Sequence, residues 1–337
     1  MFDGGLAFSM LNYPPCKLIF ADNPHRVVSN RARLNPVQAI PPSSVILHTD
    51  ESDNLPEAKK RSGPGSASKS CDATGNSLLS QSNTIGIIGG ASVDSTLSFV
   101  QKLTQRSSKD GECSLPFVLC SDPVLSKELL LHEIRSFPLI STSRPERPNS
   151  DPKLVVETLT SKQAFLEKSG ARCIVMPCHI SHSWHNEVSE GSSVPFLHMA
   201  DCVAKELKDT KMKPLEAGSP LRIGLLATDA ILSAGFYQEK LQNEGFEVVL
   251  PDKATMEHTV IPAIEASIRK DMEGAQNLLR IALQVLLVRA VNTVILASDD
   301  MRDLLPPDDP LLKKCFDPMD SLVRSTIEWA KSAEKSS

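Results

Sequence analysis

No stretch of this chain approaches the roughly 18 consecutive apolar residues that a membrane helix needs, so no membrane-spanning helix is expected. An excess of positive charge is also lacking. The formal net charge is -5, and no basic, aromatic-rich stripe occurs, which argues against a nucleic-acid partner. The eight cysteines form no CxxC pair and no finger spacing, so no metal site is expected. Their scatter fits free thiols in a reducing compartment. GxGxxG is absent, and no P-loop lysine comes after a glycine turn, which leaves little for a dinucleotide or nucleotide to bind. What remains is a chain with the apolar (41%) and charged (23%) fractions of an ordinary soluble protein, long enough for about two domains.

Residues 1–83 read as a tail rather than a packed domain. They carry Pro-Pro, Pro-Pro-Ser-Ser and Ser-Gly-Pro-Gly-Ser stretches with little periodicity, too few apolar groups to offset ordering entropy. Up to His48 the only acids are Asp3 and Asp22, set against Lys17, Arg26, Arg31 and Arg33. Acid-poor, arginine-bearing starts are typical of organelle transit peptides, with a plastid favoured over a mitochondrion. A plain disordered tail in a cytoplasmic protein is the alternative.

Order begins at Thr84. Residues 84–88 (T-I-G-I-I) predict a buried strand, Gly89 and Gly90 a turn, and 93–103 a helix capped by Ser92. A strand, glycine turn and helix expose backbone N–H groups to an anion such as a small carboxylate. Strands are expected at 116–119, 173–176 and 194–198, with a helix over 152–169 ended by Gly170 and a polar loop over 139–152. The pattern then restarts: strands at 221–226, 246–250 and 291–296, helices at 235–243, 262–288 and 319–331. Such alternation implies right-handed crossovers and parallel sheets. Each half opens on an I-G-[IL]-[IL] strand and has a later strand ending in a small nucleophile, Cys178 or Ser298. This is a loose internal duplication. Two halves facing each other would bring those strand ends together across a cleft.

The run Arg172 to His182 (R-C-I-V-M-P-C-H-I-S-H) organises the rest. Pro177 stops a short β-branched run because it cannot donate to a ladder. Cys178 then stands where a buried strand hands over to a helix, and open α/β sheets place their chemistry at that point. Unpaired N–H groups at the start of that helix would favour its thiolate, and His179 and His182 lie within a turn. The bland alternative is a buried small hydrophobe.

Five blocks carry a resemblance. I-G-I-I-G-G-A-S-V-D-S-T at 85–96, M-P-C-H-I-S-H at 176–182, V-P-F-L-H-M at 194–199, G-L-L-A-T at 224–228 with G-F-Y at 235–237, and V-I-L-A-S-D-D-M at 294–301 resemble, in order and spacing, the aspartate/glutamate racemases. These are cofactor-independent amino-acid racemases. The likeness runs from about Thr84 to Trp329 and is that of a plant-type member whose second catalytic cysteine is replaced by serine. It implies two similar α/β domains related by a pseudo-dyad, domain 1 from 84–205 plus 305–337 and domain 2 from 206–304, with the site between them. It implies proton abstraction at Cα on one face and proton return on the other, no pyridoxal phosphate or metal, an acidic amino acid as substrate, and a homodimer.

By that resemblance Cys178 is the first catalytic thiol and Ser298 stands where the second is expected. A serine hydroxyl is a far poorer base than a thiolate, so activation by Asp299 or Asp300 is needed, and one-sided or slow exchange is expected. His179 replaces an asparagine and could donate to a carboxylate. Ser92, Ser121 and Thr228 could hold the α-carboxylate, or simply cap helices. Lys270 sits near a substrate-binding lysine of the aspartate racemases, with a solvated helix face as the competing reading. His182 is expected behind the site. Two rivals remain: a single-thiol decarboxylase or isomerase of the same superfamily, and a degenerate protein that only binds an amino acid or dicarboxylate.

Overall fold

The computed structural model describes residues 44–47, 81–108, 114–135, 152–215 and 217–335. The loop expected at 139–152 lies outside them but for its last residue, as does most of the 1–83 tail. Two four-stranded sheets carry the fold. In the first, β2 (Ile85–Ile88) lies between β3 (Phe117–Ser121) and β4 (Cys173–Val175), parallel to both. In the second, β5 (Arg222–Ala227) lies between β6 (Glu247–Val249) and β7 (Thr293–Ala297), again parallel to both. The halves therefore share one topology, with the first strand central and the third beside it. Even the next segment corresponds: Phe196 makes a parallel bridge to Ile174 of β4, and β8 (Cys315–Phe316) pairs parallel to β7.

Three features differ from the sequence expectation. Residues 44–47 form a strand, β1 (Ser44–Leu47), added antiparallel to the outer edge of β3. Its Val-Ile-Leu run can pair with an open edge although its flanks are proline-rich. The strand expected at 194–198 is reduced to the single bridge at Phe196, because Pro195 and the start of the next helix at Met199 leave it no length. The long helix expected over 262–288 is two, α8 (Ile261–Ile268) and α9 (Met272–Val288), broken where Lys270 takes φ +62°.

Helices cover both sheets. In the first lobe these are α1 (Val93–Ser107), α2 (Pro123–Arg135), α3 (Pro152–Lys168), α4 (His185–Ser189) and α5 (Met199–Asp209). In the second they are α6 (Asp229–Ala234), α7 (Phe236–Asn243), α8, α9 and α10 (Asp299–Arg302). After β8 the chain crosses back, and α11 (Pro318–Lys335) packs on α1 and α5 of the first lobe. Residues 315–316 pair with β7 before the chain crosses back.

The lobes share a core. One continuous apolar cluster runs from Ile88, Val118 and Cys178 of the first to Ala227, Ile231, Phe236, Tyr237 and Ala297 of the second. Across this seam α2 and the turn at Ile180–Trp184 pack against α6, and α5 packs against α7. Separate outer clusters fill each lobe behind its sheet. Among the described residues no helix is long and apolar enough to cross a membrane.

Candidate active site at the lobe seam

The carboxyl ends of β2 and β4 build one wall. Gly89 and Gly90 come directly after β2, and the Gly89 N–H donates to the Cys120 carbonyl at 2.8 Å. The Ser126 hydroxyl of α2 donates to the Gly90 carbonyl at 2.7 Å and so fixes the turn. Cys178 then packs directly onto Gly90. A Cβ at that glycine would fall 1.9 Å from Cys178 Cβ and 2.6 Å from its Sγ. Glycine is required here for close approach. The Ala91 N–H donates to Cys178 Sγ at 3.3 Å.

The expectation of a thiolate held by the N-terminus of the next helix is corrected by this geometry. Cys178 leads into a one-turn 3₁₀ segment (Ile180–Trp184) and then the short α4, and the backbone donor comes from the glycine turn instead. The thiol is 1% exposed. Burial pushes it up to about 12, with Asp299 and Glu133 adding to the rise against the opposing N–H of Ala91. Without substrate, Cys178 is a neutral thiol.

The second lobe supplies the opposite wall. Ser298 stands at the end of β7 as Cys178 stands beyond β4, and it is fully buried. Asp299 comes next, with Oδ1 3.8 Å from His179 Nε2. His179 Nδ1 lies 3.0 Å from the Tyr237 hydroxyl of α7. Burial, with Asp299 next in weight, holds the Tyr237 phenol well above its ordinary range. Thr228, at the end of β5, donates from Oγ1 to Glu133 Oε1 of α2 at 3.2 Å. Both lobes therefore contribute polar groups to one buried seam.

The family model for the Asp/Glu/hydantoin racemases matches residues 88–326. The chain belongs to the Asp/Glu/hydantoin racemase family. The broad specificity amino-acid racemase RacX of Bacillus subtilis (strain 168) is 30% identical over 87 residues, which are 26% of this chain and 34% of that protein. The fold matches the Picrophilus torridus aspartate racemase at TM-score 0.54, with 24% identity over 74% of this chain and 94% of that one. It matches an aspartate racemase homologue from Pyrococcus horikoshii OT3 at TM-score 0.57, with 22% identity over 74% of this chain and 99% of that one. At these identities the structures establish architecture: two parallel-sheet α/β lobes.

Within this racemase fold the expected site residues fall in four places. His179 faces Asp299 and Thr228 reaches Glu133 across the seam, Cys178 precedes His179, and Ser298 and Asp300 flank Asp299 in the chain. Ser121 lies against the glycine turn, its Oγ 3.4 Å from where a Gly89 Cβ would be, while Ser92 caps α1 by accepting from the Ser95 N–H at 3.2 Å. His182 stands behind the loop. Its Nε2–H donates to the Met176 carbonyl at 2.9 Å, and burial with His198 and His185 nearby keeps it neutral. Lys270 lies exposed in the turn after α8, a helix that itself touches α10 beyond Ser298.

Two further seam residues carry little signal in the sequence. Tyr237 belongs to the G-F-Y block, whose likeness to the racemases is the one pointer to it. Glu133 lies on a helix without a clear periodicity and belongs to no motif.

Proposed function

We propose that the chain is a cofactor-independent amino-acid racemase-like isomerase acting on aspartate or glutamate, with Cys178 exchanging the α-proton on one face. What supports this reading is that Cys178, just beyond β4, and Ser298, directly after β7, follow corresponding strands of the two sheets. A base removes the α-proton, the C–H electron pair passes into the α-carboxylate, and an acid on the other face forms the new C–H bond. Two opposed groups are needed because one would restore the same enantiomer. The Gly89 and Ala91 N–H groups are taken by the Cys120 carbonyl and Cys178 Sγ, so the hydroxyl of Ser121, beside the same turn, is the group proposed to receive the growing negative charge.

The seam is closed around Cys178, so the lobes must part to admit substrate. Glu133 and Asp299 then acquire a role. Both raise the Cys178 pKa, and the α-ammonium of a bound amino acid would offset them and favour the thiolate. Ser298 is the substituted second position, so exchange is expected to be slow or one-sided. The test is α-proton exchange in deuterated water, monitored by NMR for each enantiomer of aspartate and glutamate. One enantiomer should exchange much faster, and Cys178→Ala should abolish that exchange. Exchange by the wild type that survives Cys178→Ala undiminished on both sides removes Cys178 from the mechanism.

A second reading is favoured by the neutral thiol. A protonated Cys178 is already suited to deliver one proton to an enolate, as a decarboxylase of this superfamily would require. Carbon dioxide release from small dicarboxylates, scored beside loss of optical rotation, separates the two activities.

A further inference from the structure

His179 is the next residue after Cys178, yet its ring is held by the other lobe. Tyr237 lies 3.0 Å from Nδ1, and Asp299 lies 3.8 Å from Nε2. The ring is 3% exposed and reaches from the loop that carries Cys178 to Tyr237 and Asp299 of the second lobe. A buried Tyr237 keeps its hydroxyl proton, so it can accept from Nδ1–H or donate to a bare Nδ1, and the two tautomers of His179 differ in which it does. In the tautomer where Tyr237 accepts, Nε2 carries the lone pair and faces Asp299 Oδ1 at 3.8 Å, which is the state that can take a proton. A serine hydroxyl is a weaker base than imidazole by many orders of magnitude.

We propose that His179, oriented by Tyr237 and Asp299 across the seam, is the second proton carrier of the site, in place of Ser298. This rests on the racemase-like reading above. For one enantiomer, His179 Nε2 takes the α-proton: the Cα–H bond breaks, an N–H bond forms, and the electron pair moves into the α-carboxylate. The imidazolium is held opposite Asp299. The Cys178 S–H then gives its proton to the opposite face, so a new Cα–H bond forms and a thiolate remains. Transfer of a proton from imidazolium to thiolate through solvent resets both groups, with no change in oxidation state. For the other enantiomer the steps run in reverse. Tyr237 and Asp299 are positioning residues in this scheme.

The experiment compares wild type, His179→Asn, Cys178→Ser, Tyr237→Phe and Asp299→Asn by α-proton exchange in deuterated water, each enantiomer of aspartate and glutamate measured alone. Asparagine is what the resembling block carries at 179, and Tyr237→Phe removes only a hydroxyl. His179→Asn should lower exchange of one enantiomer on the order of 100-fold or more, with the other kept within a few-fold. Cys178→Ser should give the mirror-image loss. Tyr237→Phe and Asp299→Asn should act on the same enantiomer as His179→Asn by a smaller factor, through kcat rather than KM. If His179→Asn slows both enantiomers equally, or neither, His179 is not the carrier and the racemase reading stands. If the wild type exchanges neither enantiomer of either amino acid, the racemase reading falls and this inference with it.

Discussion

At Gly90 a single hydrogen keeps the site from a clash. The side chain of Cys178 occupies the space a Cβ would need, and the turn is pinned from behind by Ser126. Neither side can yield cheaply, because the obstructing atoms belong to a short side chain on a buried loop. Gly90→Ala should therefore cost about 1–3 kcal/mol of stability, the usual penalty of overpacking, and should displace the thiol as well. A urea midpoint lowered by that amount, with loss of proton exchange, is the expected result. Wild-type stability and activity in Gly90→Ala would mean that the turn is not bound to Cys178 as described. His182 serves the same loop from the other side through its bond to Met176. The reactive position is thus fixed by one absent methyl group and one neutral imidazole.

At the scale of elements, α1 raises the question of whether Ser92 caps a helix or holds a substrate. Its hydroxyl accepts from Ser95 N–H, and its backbone is extended, as an N-cap requires. Ser92→Ala should cost about 1 kcal/mol and Ser92→Gly only a few tenths. Capping alone predicts that KM is unchanged in both. A raised KM in both variants, irrespective of stability, would assign Ser92 to the substrate carboxylate. Elements of this kind are legible in the sequence because local signals agree: Ser92 before an amphipathic run, Gly170 at φ +92°, a β-branched stretch ended by Pro177. Helix α2 is not legible, since Val124 and Leu130 are exposed while Leu125 and Leu129 are buried, which blurs its apolar face. The break at Lys270 is also hidden, because a non-glycine residue takes the positive φ there. Cys178 can be found from its strand, but the charge state of its thiol cannot. That is set by Glu133 and Asp299, which folding brings in from segments far apart in the chain.

At the scale of the whole molecule, the buried titratable groups divide by location and by the direction of their shifts. His182, His185 and His198 pack against one another, His182 stacked on His185, and His182 and His198 also meet Phe236 of the second lobe. Burial lowers all three from 6.5, His198 to about 3. Cys173 and Cys178, at about 12, and Cys202, at about 11, are raised by burial from 9.0 on the first lobe's side. A depressed histidine favours the fold above about 6.5, and that stability is lost as pH falls, because the unfolded chain takes up the protons. A raised thiol favours the fold below about 9, and that stability is lost as pH rises towards 11–12, because the unfolded chain releases protons first. Each group contributes a slope of up to about 1.4 kcal/mol per pH unit within its window. The urea midpoint should be flat between about pH 7 and 8.5 and lower at both pH 5 and pH 10.5. Asp122, Glu167 and Asp320 are held below their ordinary 3.8, 4.5 and 3.8, so their contribution falls away chiefly below those values and the loss at pH 5 would belong to the histidines. Because those rings lie where the lobes meet, charging them should loosen the seam before either lobe melts. Cys178 should therefore become accessible at pH 5 to a dipyridyl disulfide, which reacts with thiols in acid, while far-ultraviolet circular dichroism is still native. A midpoint unchanged from pH 7 to pH 5 would show that the histidine stack takes up protons without disturbing the junction, and the lobes would then have to open for substrate by some other means.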